Sequence, residues 1–306
     1  MRKITEYHLE EWSRLDPLKY AFKEFRNRVV QAIYNRIGAN GVNNTLEACK
    51  RNQNNILVMV ILFETPWVAD WLCRSVQNNL INANVVLFDN SRTADARAKN
   101  KNICEAHKML YVALPRLPIW NVNWSHSAAM QWIYSNFIRI LRPAKFAFID
   151  HDMIPFNRID LSDRVDGQPF YGLLRPGGKN EKCPGAWSLW AGYCVFNYKE
   201  IKYQKLDFLY NFSMGLDTGG GNFELLYNKY NKASMSFSPV FSQTIDVPGF
   251  GLMDELQIID GKWIHLGSVS YAGKARSKQD YWRALDSALA SGVNFESMLV
   301  SSQRTW

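Results

Sequence analysis

At 306 residues, 47% hydrophobic and 21% charged, the chain has the composition of a folded protein with one large domain plus appendages, or at most two domains, and disorder is not expected. A net charge of +8 favours an anionic partner, but no zinc-finger, RNP-like or KH-like signature accompanies it, so nucleic acid is not expected. Five cysteines (Cys49, Cys73, Cys104, Cys183, Cys194) in no CxxC spacing, and odd in number, exclude a disulfide framework or zinc ribbon. No apolar run approaches the roughly 18 residues that span a bilayer, and Met1–Tyr7 lacks the apolar core of a secretion signal. A cytoplasmic placement, at most peripheral at an anionic membrane surface, is expected.

Residues 1–50 read as a helical extension. Phe22, Phe25, Val29, Ile33 and Ile37 recur at helical spacing among charges, either packing on the main domain or forming a basic membrane-surface helix. Gly38 to Asn44 is a break, and Ile56–Phe63 has the low charge of a central parallel strand. Pro66–Leu80 predicts a helix, Asn84–Asp89 a strand, Arg97–His107 a helix, Met109–Leu114 a strand, Ser125–Leu141 a long helix and Phe146–Ile149 a fourth strand. Strands alternating with helices predict an open α/β sheet, mostly parallel, with helices on both faces and ligands at the carboxyl ends of the strands. Glu64, Asp89 and Asp150 lie at such ends. Beyond residue 156 the pattern loosens to short strand-like pieces at Phe170–Leu174, Ser188–Phe196 and Lys262–Leu266. That half, 156–270, is expected to graft onto the sheet of the first, 51–155. Residues 271–306 read as a helical tail carrying a helix over Arg276–Ala290.

The run from Lys145 to Pro155 is apolar until it stops on Asp150 and Asp152. Two carboxylates delivered by a buried strand are hard oxygen ligands suited to Mg²⁺ or Mn²⁺. The alternative is an Asp-rich turn after a strand.

Phe146-Ala-Phe-Ile-Asp-His-Asp152 resembles the strand and DxD of GT-A-type glycosyltransferases, closest to the family 2 group. Val85-Val-Leu-Phe-Asp89-Asn90-Ser91 is similar to the family's acidic segment that contacts the nucleoside, and the stretch from Asn123 through His126 resembles its polar helix start. The resemblance covers roughly residues 55–155 and implies a single Rossmann-like GT-A domain over 51–270. It also implies a nucleoside-diphosphate-sugar donor (UDP- or GDP-sugar), a Mn²⁺ or Mg²⁺ ion and a glycan or lipid-linked acceptor, with inversion expected. Asp150 and Asp152 would then hold the metal, with His265 in Trp263-Ile-His265-Leu-Gly267 as a further ligand. Glu64, Asp89, Asn90, Ser91, Asn123, His126, Asp150 and Lys274 would surround the donor. His151 is expected to point away.

Inverting transfer also needs a carboxylate to take the acceptor proton. The segment Leu216-Asp217-Thr218-Gly-Gly-Gly-Asn222-Phe-Glu224 offers Asp217 and Glu224 beside glycines that allow close backbone approach. Asp254 and Glu255 compete, and Asp217 can instead cap a helix from Thr218. Arg175-Pro-Gly-Gly-Lys179 reads as a basic loop that closes over substrate or as a plain surface turn. Trp187, Trp190 and Tyr193 serve either as a sugar platform or as core. A DxD phosphohydrolase and a non-catalytic sugar-binding protein remain as alternative readings.

Overall fold

The computed structural model describes residues 2–52, 55–116, 121–177, 183, 185–267, 269 and 276–305. Helices α1 (Asp16–Tyr34) and α2 (Val42–Lys50) precede strand β1 (Ile56–Leu62). Then come α3 (Pro66–Asn79), β2 (Ala83–Asp89), α4 (Ala94–Ala106), β3 (Leu110–Ala113), α5 (Val122–Ile133) and β4 (Lys145–Asp150). The second half supplies β5 (Met153–Pro155), β6 (Phe170–Pro176), β7 (Trp187–Asn197), β8 (Val240–Val247), β9 (Gly251–Ile259) and β10 (Trp263–His265). Helix α6 (Arg276–Ala290) and strand β11 (Leu299–Thr305) follow.

The central sheet has the order β3-β2-β1-β4-β7-β6. Its first four strands are mutually parallel, and β7 runs antiparallel to both β4 and β6. All seven residues of β1 are buried, because both faces are covered. Val58 and Val60 join a core with Trp71 and Leu72 of α3, whereas Leu57 and Met59 join another with Trp132 of α5 and Tyr34 of α1. The expected mixed α/β layering, with helices on both faces, is therefore present.

A second, antiparallel sheet of order β11-β8-β9-β10-β5 lies beyond this reading. Its longest strands, β8 and β9, interleave polar residues such as Gln243, Asp254 and Gln257 with apolar ones, so no continuous apolar run announces them. The tail expected to be helical contains α6 but ends in β11, paired with β8. Chain direction changes sheets at the DxD: β4 ends on Asp150, His151 and Asp152 form a turn, and β5 begins at Met153 in the second sheet.

Helix α1 departs most from expectation. Its polar side packs inward, with Asn27, Gln31 and Tyr34 buried; Tyr34 Oη donates to the Pro115 carbonyl at 3.0 Å. The apolar stripe, for which the sequence left packing on the domain or a membrane surface as alternatives, does not pack on the domain but faces outward, with Phe22 67% and Phe25 68% exposed.

Candidate functional site

A cavity of about 480 Å³ opens at the carboxyl edge of the central sheet, where ligands gather in open α/β folds. Ile61 near the end of β1, Phe63 just after it, Asn90 after β2 and Asp150 at the end of β4 line it. Because β7 is antiparallel, its early residues Trp190 and Ala191 reach the same edge.

Asp152 and His265 meet on one wall, with Asp152 Oδ2 at 3.7 Å from His265 Nε2. The second sheet brings them together: His265 pairs with Met153 across β10 and β5, and Leu266 N donates to the Asp152 carbonyl at 2.9 Å. His265 Nδ1 donates to Gln257 Oε1 at 2.7 Å, which orients the ring with Nε2 toward the Asp152 carboxylate. Asp152 Oδ1 is buried and finds no hydrogen-bond donor among the described residues. Asp152 Oδ2 and His265 Nε2 thus stand together on the cavity, and the same carboxylate keeps Oδ1 buried without a donor; oxygen and imidazole groups so placed suit a cation.

Asp150, just before the turn at 151–152, pairs with His126. Among the described residues no three histidine, cysteine or carboxylate side chains gather closely enough to hold a metal ion alone. Asp150 Oδ1 sits 3.1 Å from His126 Nε2 in the second turn of α5, whose start is fixed by Asn121 Oδ1 accepting the Trp124 N–H at 2.9 Å. Burial opposes charge on both partners, but the Asp150 carboxylate, with Asp217 and Asp152 beyond it, holds the His126 pKa above its ordinary value. At Asp150 burial is likewise outweighed by His126, His151 and His265, and its pKa is lowered. Gly192 makes room for this carboxylate: a Cβ there would stand 2.6 Å from Asp150 Oδ2 and 2.4 Å from the Trp190 ring.

Asn90, Asn123, His126, Asp150, Asp152, Asp217 and His265 all line the cavity. Asp217 is exposed, with Oδ1 accepting the Thr218 N–H at 2.7 Å; Thr218 Oγ1 reaches the Asn123 carbonyl at 3.5 Å and ties the two walls. Glu224 is exposed on the one-turn helix Asn222–Leu225 and does not line the cavity, nor do Asp254 and Glu255 on β9. Asp254 Oδ1 accepts from the Thr244 hydroxyl at 2.8 Å.

Glu64, Asp89 and Ser91 do not line the cavity and are hydrogen-bonded within the fold. Glu64 Oε1 accepts the backbone N–H groups of Arg92 and Thr93, and its Oε2 accepts the Thr93 hydroxyl at 2.7 Å, fastening the end of β1 to the start of α4. Asp89 is fully buried and accepts from Ser91 N (2.8 Å), Tyr111 Oη (2.8 Å) and Asn100 Nδ2 (3.3 Å). Ser91 Oγ accepts from Glu64 N at 2.9 Å. Lys274 and Lys179 lie outside the described residues.

Of the three aromatic residues considered as a platform, Trp190 alone lines the cavity, edge-on to the His265 ring with centroids 4.8 Å apart and with the Arg175 guanidinium 5.7 Å over its own ring. Trp187 stacks on Tyr227 in the core, and buried Tyr193 donates to Asp260 Oδ2 at 2.6 Å. That second bond matters for the site. Asp260 also accepts from Tyr171 Oη at 2.7 Å and Arg164 Nε at 2.9 Å, so the central sheet grips the turn joining β9 to β10, the strands that carry Gln257 and His265. Sequence reading missed Gln257, Gly192 and Asp260. An Asp260-Gly261 turn between two apolar-rich runs was the signal available, since a hairpin about it sets Gln257 opposite His265.

No family model and no curated protein matches the chain. Among the solved structures similar in part are two at a TM-score of 0.34. The apo structure of the WbbM bifunctional glycosyltransferase shares 15% identity over 49% of this chain and 32% of its own. The mannosyltransferase PcManGT from Pyrobaculum calidifontis, in complex with GDP-Man and Mn²⁺, shares 10% identity over 53% of this chain and 54% of its own. The chain thus spans a third to about half of those two proteins' length.

Proposed function

We propose that the chain is a metal-dependent glycosyltransferase of GT-A type that moves a sugar from a nucleoside-diphosphate donor to an acceptor hydroxyl. The observation that carries this reading is the Asp152–His265 pair, with its orphaned buried oxygen, at the carboxyl edge of a mostly parallel sheet. Asp152 and His265 would hold Mn²⁺ or Mg²⁺. Two protein ligands are enough where phosphate oxygens complete the shell, as is usual for ions that bind with a diphosphate. The ion, when bound, neutralises charge on the departing diphosphate.

The chain's own groups supply the rest. His126, its pKa raised beside Asp150, stands on the same cavity and in its charged form would offer a further positive group to the leaving diphosphate. Asn90 and Asn123 present amide and backbone groups to the donor. Trp190 gives an apolar ring against which a sugar can lie. Asp217, its Oδ1 bound to the backbone of Thr218, offers Oδ2 to the acceptor hydroxyl. The acceptor oxygen then bonds to the sugar C1, its proton passes to Asp217, and the C1–O bond to the diphosphate breaks with its electron pair leaving on the nucleoside diphosphate.

The test is calorimetric titration with UDP and with GDP, with and without Mn²⁺, on the wild-type chain and on Asp152→Ala. Binding of one nucleotide that requires both the ion and Asp152 is expected. Absence of binding by either nucleotide would overturn the reading in favour of a phosphohydrolase or a non-catalytic sugar-binding protein.

A further inference from the structure

Helix α1 is built inside out. Leu18, Phe22, Phe25, Val29 and Ile33, and Ile37 just past its end, all face outward, each more than two-fifths exposed, while the helix packs through Asn27, Gln31 and Tyr34. An apolar stripe of this length on a soluble surface marks a contact with something. Charge selects the occupant. From Arg14 to Ile37 the sequence has six basic residues and two acidic ones. Both acids are turned away from the stripe's surroundings: Asp16 is taken up by Arg14 at 3.3 Å and Lys19 at 3.9 Å, and Glu24 Oε1 is buried. Lys19, Lys23, Arg26 and Arg28 are exposed along the helix, and Arg36 just past its end.

A second copy of the chain is the competing occupant, and its pairing is unfavourable. With Phe22 and Val29 at a positions and Leu18 and Phe25 at d, the charged flanking e and g positions are Lys19, Arg26 and Arg28. Two such helices would set positive charges against each other with no acid to answer them. A neighbouring cleft of about 590 Å³ between α1, α5 and the 198–209 segment adds Arg139, Lys202 and Lys205 to Arg28, with Asp207 as the carboxylate among them. The positive surface therefore continues beside the stripe.

We propose that α1 docks this molecule on an anionic phospholipid bilayer, its apolar stripe seated at the acyl boundary and its basic flanks among the headgroups. Interfacial helices combine these two features, and each flanking basic residue adds attraction to an acidic leaflet. The docked helix touches segments that carry the candidate site: Arg26 stands 5.3 Å over the Trp124 ring, next to Asn123, and Lys23 stands 5.7 Å over Phe212, close to Gly215 and Asp217. That proximity suits an acceptor carried by a lipid. This last clause alone rests on the transferase reading; the docking does not.

The experiment is flotation of the full chain with vesicles of phosphatidylcholine alone and of phosphatidylcholine mixed with phosphatidylglycerol, at low and high salt, alongside analytical ultracentrifugation without lipid. Wild type is expected to float with the mixed vesicles at low salt, and to bind roughly tenfold more weakly at high salt or to phosphatidylcholine alone. The Phe22→Ser, Phe25→Ser double variant, with wild-type circular dichroism and melting, is expected to lose flotation. Leu252→Ser, at an exposed apolar position on β9, should keep it. No uptake by mixed vesicles, or uptake unchanged in the double variant, overturns the proposal. So does a concentration-dependent dimer that the double variant abolishes when no vesicle is bound. Nucleotide titration is independent of all these outcomes, so docking and transfer can fail separately.

Discussion

Gln257 and His265 sit directly opposite each other in the β9–β10 ladder, and the amide oxygen of the first accepts the Nδ1 proton of the second at 2.7 Å. One hydrogen bond thereby decides which imidazole nitrogen faces Asp152. Gln257→Leu removes the acceptor at similar volume, and the ring is then free to rotate or change tautomer. Mn²⁺ affinity is predicted to fall about 10–100-fold while the melting temperature changes little. Metal titration followed by electron paramagnetic resonance checks this. Wild-type affinity in the variant would show that His265 needs no such orientation, or binds no ion.

Gly192 carries a second prediction. Its φ is unremarkable; the space above it is what matters, since a methyl group there would overlap the Trp190 ring and Asp150 Oδ2. Gly192→Ala is predicted to displace both, destabilising the fold by about 1–3 kcal/mol and weakening nucleotide binding. Denaturation and nucleotide titration on the same sample separate the two effects. Wild-type binding with reduced stability would place Asp150 outside the binding surface.

Asp89 invites the opposite outcome. It lies at the carboxyl end of β2, where an acidic residue can meet a nucleoside, yet both its oxygens are committed to Ser91, Tyr111 and Asn100 with no exposed surface. Asp89→Ala leaves those donors buried and unanswered, and is predicted to cost about 3 kcal/mol. Nucleotide affinity per folded molecule should stay close to wild type. Loss of nucleotide binding at unchanged stability would make Asp89 a ligand contact.

These cases show where the sequence was readable. The seven-residue apolar run of β1 and the stop on Asp150 are properties of single strands, and both were visible without a structure. His265 was visible because a histidine in Trp263-Ile-His-Leu matched an expected late element. What brings His265 to Asp152 is pairing between strands more than a hundred residues apart, and no local pattern encodes it. Glu64 and Asp89 look alike in sequence to any acid ending a strand; only the donors around them reveal that the fold has used them. Periodicity in α1 announced an apolar stripe but could not say what covers it.

Glu24 gives the last prediction, a dependence on pH away from the cavity. It lies on the inward side of α1, where burial raises its carboxyl pKa above the ordinary 4.5, and Oε1 meets no donor among the described residues. The unfolded chain releases this proton at the ordinary value, while the folded chain holds it to higher pH. Between the two values the folded state binds more protons, so stability falls as pH rises from 4.5 through the raised pKa and stays at the lower level above it. Glu24→Gln keeps the shape and removes the charge. The variant is therefore predicted to be more stable than wild type at neutral pH and to lose that difference as pH drops below 4.5. Urea denaturation of both chains across this range measures it directly. Equal stabilities at neutral pH would mean that the ionised carboxylate is solvated where it stands, and that the inward face of α1 admits water.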